Sequence, residues 1–490
     1  MNLNVAEYRD KVLACFIGKN IGGTMGEPYE GKRMILDVKG FSTPPSVALP
    51  NDDLDLQLVW LWAVQQYGPH QLNATTLGEF WLDFVVAHWN EYGIGKANMR
   101  RGMYPSLSGD FGNHWKHSNG AWIRTEIWAT LAPASPDVAA RYAIEDAIVD
   151  HGTGEGTIAA AFVAAMQSAA FVCSDIDKLI DIGLSKIPAE SRMAKSIKLA
   201  IDCYQKGIPA MDARNLIQES NADIGTGWFE APSNVAYAVL GLLYGEGDFK
   251  KSMLTAINCG DDTDCTAATV GATLGIMYGT AGIPTDWREH VGDTIVTKSI
   301  NRCLLAKFPK TCTQLTDMIA EQAPAMLLAN AKRKRYQCAL SGEPTDLPED
   351  ILAQFTACTD TLDRLASIEP YSFEVSFCEG ALSATVIYEE EPILKPNSEL
   401  KLRIRFTNNW TVFGNARYNF NLRWITPDGI TVTGLKGVQM VHTGQHNPNH
   451  MDVAYVIHTK DHVEAENRIV LEIGIKDHFS TGYIPMVIPG

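Results

Sequence analysis

At about residue 370 the hydrophobic period of this chain changes from 3.6 to 2, and that change limits what it can fold into more than any composition does. Upstream, Leu54, Leu58, Leu61 and Trp62 fall at i, i+4, i+7 and i+8, and Leu77, Trp81, Phe84, Val85 and His88 repeat a similar stripe, as core-facing helices require. The stretch "IAAAFVAAMQSAAF" from Ile158 is apolar on nearly every side, which suits a helix in the middle of a large helical domain. In "TAATVGATLGIMYG" Gly271, Gly275 and Gly279 recur every four residues, lining one helix face along which another backbone can approach closely. Downstream, Leu400, Leu402, Ile404 and Phe406 alternate with Lys401, Arg403 and Arg405, and Phe420, Leu422 and Trp424 alternate with Asn419, Asn421 and Arg423. The pattern predicts a multidomain α and β chain: an all-α helical domain over 1–320, a helical connector over 321–370 and a small antiparallel β-sandwich domain over 371–490. A chain of 490 residues exceeds one ordinary core, which agrees.

The formal net charge of −16 argues against nucleic acid as a partner, because phosphates would be repelled without a local basic face. The longest basic run, Lys332 to Arg335, sits in a helical stretch and reads as a solvated face. Ten cysteines are scattered with no C-x-x-C, which indicates neither a zinc ribbon nor a disulfide framework but reduced thiols in a cytoplasmic protein. The opening "MNLNVAEYRDKVLACFIGKN" lacks a basic leader, and no run approaches the roughly 20 apolar residues of a membrane span, so neither a signal peptide nor a membrane is expected.

Three acid- and glycine-rich stretches in the helical part could carry chemistry. In "GKNIGGTMGEPYEGK", Gly18, Gly22, Gly23, Gly26 and Gly31 are expected to break a helix into a loop presenting Glu27 and Glu30; the strand and lysine of a phosphate-binding P-loop are missing. In "LPNDDLDLQLVWLWAV", Asn51, Asp52 and Asp53 precede a helix stripe, where one of them suffices as N-cap. Adjacent acids plus Asp55 exceed that need, and like charges side by side repel unless a cation or hydrogen bonds compensate. In "NCGDDTDCTAAT", Asp262 and Asp264 lie two positions apart, on different sides of a regular helix, yet a loop could aim both at one point. Two such turns could jointly hold a hard divalent cation; a pair of ordinary capped helices explains the composition equally well.

Taken in order, "FIGKNIGGTMGEPYEG", "NDDLDLQLVWLW", "SNGAWIRTEIWATLAP", "DHGTGEGTIAAAFVAA" and "AINCGDDTDCTAATVGATLGIMYGTAGIPTDW" resemble the successive signatures of the ADP-ribosylglycohydrolase family, over about the first 290 residues. The resemblance implies an all-α domain with a binuclear Mg²⁺ centre, hydrolysing the bond between C1 of a ribose and its nitrogen or oxygen substituent. Its substrate would be a small molecule or an ADP-ribosylated protein, and another divalent ion such as Mn²⁺ could replace Mg²⁺. Asp52, Asp53, Asp262 and Asp264 would be the metal carboxylates, with Asn51 and Cys265 at flanking ligand positions. Glu30, Asp53 and Asp262 would carry the catalysis, Glu30 as a positioning or acid–base group. Asn119, Gly120 and Ala121 would lie near the phosphates or ribose, Arg124 would support that segment and His151 would line the cleft.

Five departures from the family pattern stand out. Asn51 replaces Ser or Thr, Leu54 and Cys265 each replace Thr, Asp261 replaces Gly, and Gly23 replaces Asp. Leucine cannot ligate, and a thiol suits softer metals than Mg²⁺, so one metal position is expected to be altered or lost, or Cys265 to be simply a small buried residue. "HGTGEG" could offer backbone N–H groups to phosphate or be a plain helix entry. A glycosidase for another sugar or nucleoside, and a non-catalytic ligand-binding relative, remain the other readings. The β-domain lies outside the resemblance. Its Trp410, Tyr418 and Trp424 are expected to pack in a core, and His442, His446 and His450 lie in a loop.

Overall fold

The computed structural model describes the chain except residues 226, 302–305, 332–336, 379, 410–414, 444–448 and 477, and the side chains of 415–417 and 441–443. The basic run Lys332–Arg335, Trp410, His446 and the side chain of His442 therefore lie outside the described residues. The chain forms two compact units, Met1–Gly93 with His114–Ser367, and Ile94–Asn113 with Ile368–Gly490.

The first unit is helical. Its centre is a pair of helices, α1 (Val5–Gly26) and the helix Thr263–Tyr278, packed backbone to backbone. Asn4 caps α1, its side chain accepting from the amides of Ala6 and Glu7. The expectation that glycines break this helix is corrected: α1 runs unbroken through Gly18, Gly22 and Gly23 to Gly26. They are there for proximity. A Cβ on Gly18 would stand 2.2 Å from the carbonyl oxygen of Gly271, one on Gly22 2.4 Å from that of Ala267, and one on Gly275 2.3 Å from that of Ala14. Gly271 and Gly275 thus line the predicted face, whereas Gly279 ends the helix at φ +69°. The stripe beyond Trp81 also stops early, because the helix Ala74–Phe84 ends before Val85 and His88.

Residues 321–370 contain the end of the helix Cys312–Asn330, the strand β2 (Ala339–Ser341) and the helices Ile351–Ala357 and Asp360–Ser367. All of this belongs to the first unit. β2 pairs in parallel with β1 (Asn2–Asn4), Arg364 meets Glu145 at 2.8 Å, and the buried Lys186 ammonium donates to Asp137 Oδ2 at 2.9 Å and to the Cys358 carbonyl at 2.8 Å.

The second unit is an antiparallel sandwich. One sheet has the order β3 (Ser372–Phe377), β4 (Leu382–Tyr388), β5 (Glu399–Asn408), β9 (His450–Thr459), β7 (Ile430–Gly434). The other runs β11 (Thr481–Pro489), β10 (Glu466–Ile475), β6 (Asn415–Ile425), β8 (Gly437–Thr443). The predicted alternation buries Leu400, Leu402, Ile404 and Phe406 while Lys401 stays exposed. The sheets meet through Phe406 against Phe420, ring centres 5.2 Å apart, and Trp424 edge-on to Tyr455 at 5.0 Å. Tyr418 is packed against the same core, which Met103 and Leu107 of the 94–113 segment also join. No described helix is long and apolar enough to cross a membrane.

Candidate functional site

The paired helices bring two distant acid-bearing turns to one place. At the end of α1 a Cβ on Gly26 would stand 2.4 Å from Cα of Asp264, so the short helix Glu27–Tyr29 starts directly against the first turn of the Thr263 helix. Thr263 Oγ1 donates to the Gly26 carbonyl at 2.8 Å. The chain then turns at Gly31, φ +79°, and Lys32 forms an antiparallel bridge with Asp261. The Gly31 amide donates to the Asp261 carbonyl at 2.9 Å and the Asp261 amide to that of Lys32 at 3.0 Å. Glu30 is thereby held beside Asp264.

The third segment of the site is the start of the helix α2 (Asp52–Tyr67). Asn51 is its N-cap, accepting from the Asp53 amide at 2.7 Å, and its Nδ2 faces Asp264 Oδ2 at 3.4 Å. A side chain at position 23 would collide with this amide, a Cβ lying 2.3 Å from Asn51 Nδ2, so Gly23 and Asn51 fit as a pair. The surplus acids of this turn have separate partners. Asp55 accepts the amides of Lys298 and Ser299, each at 2.6 Å, and so anchors a loop. Asp53 is buried, with Oδ2 3.5 Å from the Lys19 ammonium and Oδ1 accepting from the Cys265 thiol at 3.4 Å. Asp52 is half-buried, 3.5 Å from the Tyr92 hydroxyl.

Among the described residues the ligand-bearing side chains form two groups, each with its donor atoms within 4.8 Å: Asp53, Asp264 and Cys265, and Glu27, Glu30 and Asp264. Asp264 belongs to both. Glu27 joins one of these groups although it is absent from the predicted metal set; its position directly after Gly26, the last glycine of the α1 face, was the available signal. Asp262 stands outside both groups, two residues before Asp264 and buried, with Oδ2 accepting from Asn119 Nδ2 at 2.6 Å and its amide donating to Asn234 Oδ1 at 3.1 Å. Buried oxygens without a hydrogen-bond partner remain on Glu27 (Oε2), Asp53 (Oδ2), Asp262 (Oδ1) and Asp264 (Oδ1). An array of buried, unsatisfied carboxylate oxygens is costly by itself and suits a hard cation.

The titration behaviour carries the same strain. Burial, then Glu30, pushes Asp262 up to about 7; burial, then Asp262, holds Asp264 well above the carboxylate range; burial also raises Asp53, with Lys19 opposing. Glu30, exposed at the edge of the cluster, is pushed up to about 8 by desolvation of its carboxyl and then by Asp264, Glu27 and Asp52, with Lys298 opposing. Acids whose folded-state pKa exceeds the unfolded value bind more protons when folded, so stability falls as pH rises through that window. The metal-free protein is therefore expected to lose stability from about pH 4 to pH 7, by on the order of 4 kcal/mol for Asp262 alone. Saturating Mg²⁺ should flatten the profile. Thermal melts against pH with and without Mg²⁺ measure this, and a metal-free stability that rises from pH 5 to 8 contradicts it.

Two oddities of the acid turn have structural explanations. Asp261, at φ +60°, turns its buried carboxylate away toward Arg214 Nη2 at 3.6 Å and Arg33 Nε at 3.9 Å. It is pushed up to about 6 by burial, which the two guanidinium groups oppose, and it adds no charge to the cluster. Cys265 acts as a donor to Asp53, and burial pushes its thiol well up, which keeps it protonated.

The segment expected to touch substrate is deeply placed. Asn119, Ala121, Arg124 and His151 are all buried, and a Cβ on Gly120 would stand 2.2 Å from Glu91 Oε1. Arg124 spans Asp146 and Asp150, at 3.0 and 2.8 Å, and also donates to the Gly120 carbonyl, so it braces the segment. His151 faces Asp150 Oδ1 through Nδ1 at 2.9 Å and Ser118 Oγ through Nε2 at 3.2 Å; with no exposed surface it does not line a cleft. "HGTGEG" is a helix entry. The amides of Gly154, Glu155, Gly156 and Thr157 are taken by His151, His117, Lys116 and Gly154, which leaves none of the four for phosphate.

The model of the ADP-ribosylglycohydrolase family matches residues 4–324. Over 54 residues the chain is 39% identical to the ADP-ribosylarginine hydrolase Tri1 of Pseudomonas putida (strain GB-1), which is 11% of this chain and 15% of that protein's length. Among solved structures, a chain of an "ADP-ribosylglycohydrolase-related protein complex" aligns with a TM-score of 0.42 at 20% identity, covering 66% of this chain and 98% of its own. A FixG-related protein from Vibrio parahaemolyticus aligns with a TM-score of 0.18 at 12% identity, over 22% of this chain and 95% of its own.

Proposed function

The chain belongs to the ADP-ribosylglycohydrolase family, and from that premise we propose that it is a cytoplasmic, divalent-metal-dependent hydrolase of the C1 bond of an ADP-ribosyl or related ribosyl substrate. The observation that carries this reading is the acid cluster centred on Asp264, with buried carboxylate oxygens that no hydrogen bond satisfies. Oxygen donors favour Mg²⁺ or Mn²⁺, and Glu27, Glu30, Asp264 and neighbouring Asp262 would hold the ion. When bound, such a cation orients sugar hydroxyls, favours ionisation of water and lets an anionic substrate approach an acidic protein.

The chain's own residues supply the rest. Glycoside cleavage passes through an oxocarbenium-like state and needs a proton for the leaving group and a base for water. Glu30 stands at the exposed edge of the cluster, where its carboxyl group can meet the substrate and serve as the positioning or acid–base group. Asn119 fixes Asp262, and Trp122 Nε1 donates to Asn119 Oδ1 at 2.9 Å, so this carboxylate is oriented before substrate arrives. Arg124, Asp146 and Asp150 keep that segment rigid.

The test is release of ADP-ribose from ADP-ribosylated protein and from ADP-ribosylarginine, against a panel of nucleosides and aryl glycosides. Turnover is expected on the ADP-ribosyl substrates, lost in EDTA and restored by Mg²⁺ or Mn²⁺. Turnover confined to nucleosides or aryl glycosides moves the chain to the glycosidase reading. No turnover and no metal binding makes it a ligand-binding relative.

A further inference from the structure

One group at the acid cluster has no part in that reaction: Lys19, in the middle of α1. It is fully buried, and its ammonium has three acceptors around it, the Ile123 carbonyl at 2.7 Å, Glu126 Oε2 at 3.2 Å and Asp53 Oδ2 at 3.5 Å. It donates to the carbonyl and is ion-paired with both carboxylates, and a buried charge of this kind persists only when paired.

We propose that Lys19 is a built-in cation that takes the place of one metal, so that the cluster holds a single divalent ion on its Glu27–Glu30–Asp264 side. The inference rests on the metal dependence proposed above and departs from the binuclear centre that the family resemblance implies. On the Asp53 side, Oδ1 accepts from the Cys265 thiol, and Oδ2, which no hydrogen bond satisfies, is ion-paired with the Lys19 ammonium at 3.5 Å. The charges there are Asp53 and Glu126 against Lys19, and the third donor is a cysteine sulfur, a soft ligand that suits a hard ion poorly. A divalent ion in that position would also face the ammonium at short range in a buried setting, where repulsion is strong. The other side is different. Among the described residues the cation paired with Glu27, Glu30 and Asp264 is Lys298, 3.1 Å from Glu27 Oε1, and Glu27 Oε2 and Asp264 Oδ1 have no hydrogen-bond partner.

Titration of the full-length protein with MnCl₂, by calorimetry and by the electron paramagnetic resonance signal of free Mn²⁺, reads the stoichiometry without any substrate. One ion per chain is expected. Asp53→Asn should keep that one ion with affinity within about threefold, whereas Glu27→Gln and Asp264→Asn should each weaken it at least tenfold. Lys19→Met should open the second position and raise the stoichiometry to two, while Lys19→Arg stays at one. Two ions on the unaltered protein, loss of the ion in Asp53→Asn, or a folded Lys19→Met that still binds one would each overturn the proposal and leave metal dependence standing. No ion on the unaltered protein would overturn both. Should Lys19→Met not fold, the unaltered protein and Asp53→Asn decide the matter.

Discussion

Asp264→Asn is expected to lower kcat/KM on the ADP-ribosyl substrate by about a hundredfold to a thousandfold, and at the same time to stabilise the metal-free protein above pH 7. Both effects come from one carboxylate. Asp264 is the acid common to the two donor groups, so its loss removes a ligand whichever side holds the ion, and losing a preorganised electrostatic group at a reaction centre typically costs about a hundredfold to a thousandfold. Without metal the same group is a liability. It is buried, beside Asp262, with Oδ1 unsatisfied and its pKa driven well up, first by burial and then by Asp262. An uncharged amide of the same shape removes that repulsion and should raise stability by roughly 1–3 kcal/mol at pH 8, less at pH 5 where the cluster is already protonated. Steady-state kinetics and thermal melts of the metal-free proteins at the two pH values measure the pair of effects. A variant that keeps more than a tenth of the activity, or that melts lower than the parent at pH 8 without metal, contradicts this account.

Gly271→Ala is expected to destabilise the protein by about 3 kcal/mol or more, against a gain of roughly 1 kcal/mol that alanine brings to an ordinary helix. The added Cβ would stand 2.3 Å from the carbonyl oxygen of Gly18, and both atoms belong to helix backbones that cannot move aside separately. The α1 and Thr263 helices must then part, and the separation reaches the site, because Gly26 and Asp264 touch at the end of the same contact. Mn²⁺ affinity should fall along with stability. Gly40→Ala is the control: nothing lies within 4 Å of the new Cβ there, so a change within about 0.5 kcal/mol is expected. Denaturant unfolding of both variants gives the comparison, and a Gly271→Ala protein as stable as the parent would show that the helices are not locked at van der Waals contact.

Much of this architecture is legible in one dimension because it depends on local periodicity. The alternation of Leu400, Leu402, Ile404 and Phe406 places every second side chain inside the sandwich whatever the strand pairs with, and the apolar run from Ile158 can only be satisfied in a helical interior. The four-residue spacing of Gly271 and Gly275 likewise announces a close contact, and the ordered acid-rich blocks identify the family. What periodicity does not carry is the identity of the partner across a contact. Glycines that look like helix breakers in α1 stay helical because a second backbone occupies the space their side chains would fill. The same blindness covers charge. Asp53, Asp55, Asp261 and Asp264 look alike in sequence, yet one meets Lys19, one meets two backbone amides, one turns to Arg214, and the fourth faces buried oxygens that repel it. The local chain determined which residues are acids and which segments are helices or strands. Only the tertiary structure decided which acid is neutralised and which is left needing a cation, because electrostatic compensation in a buried site depends on distance through space rather than on spacing along the chain.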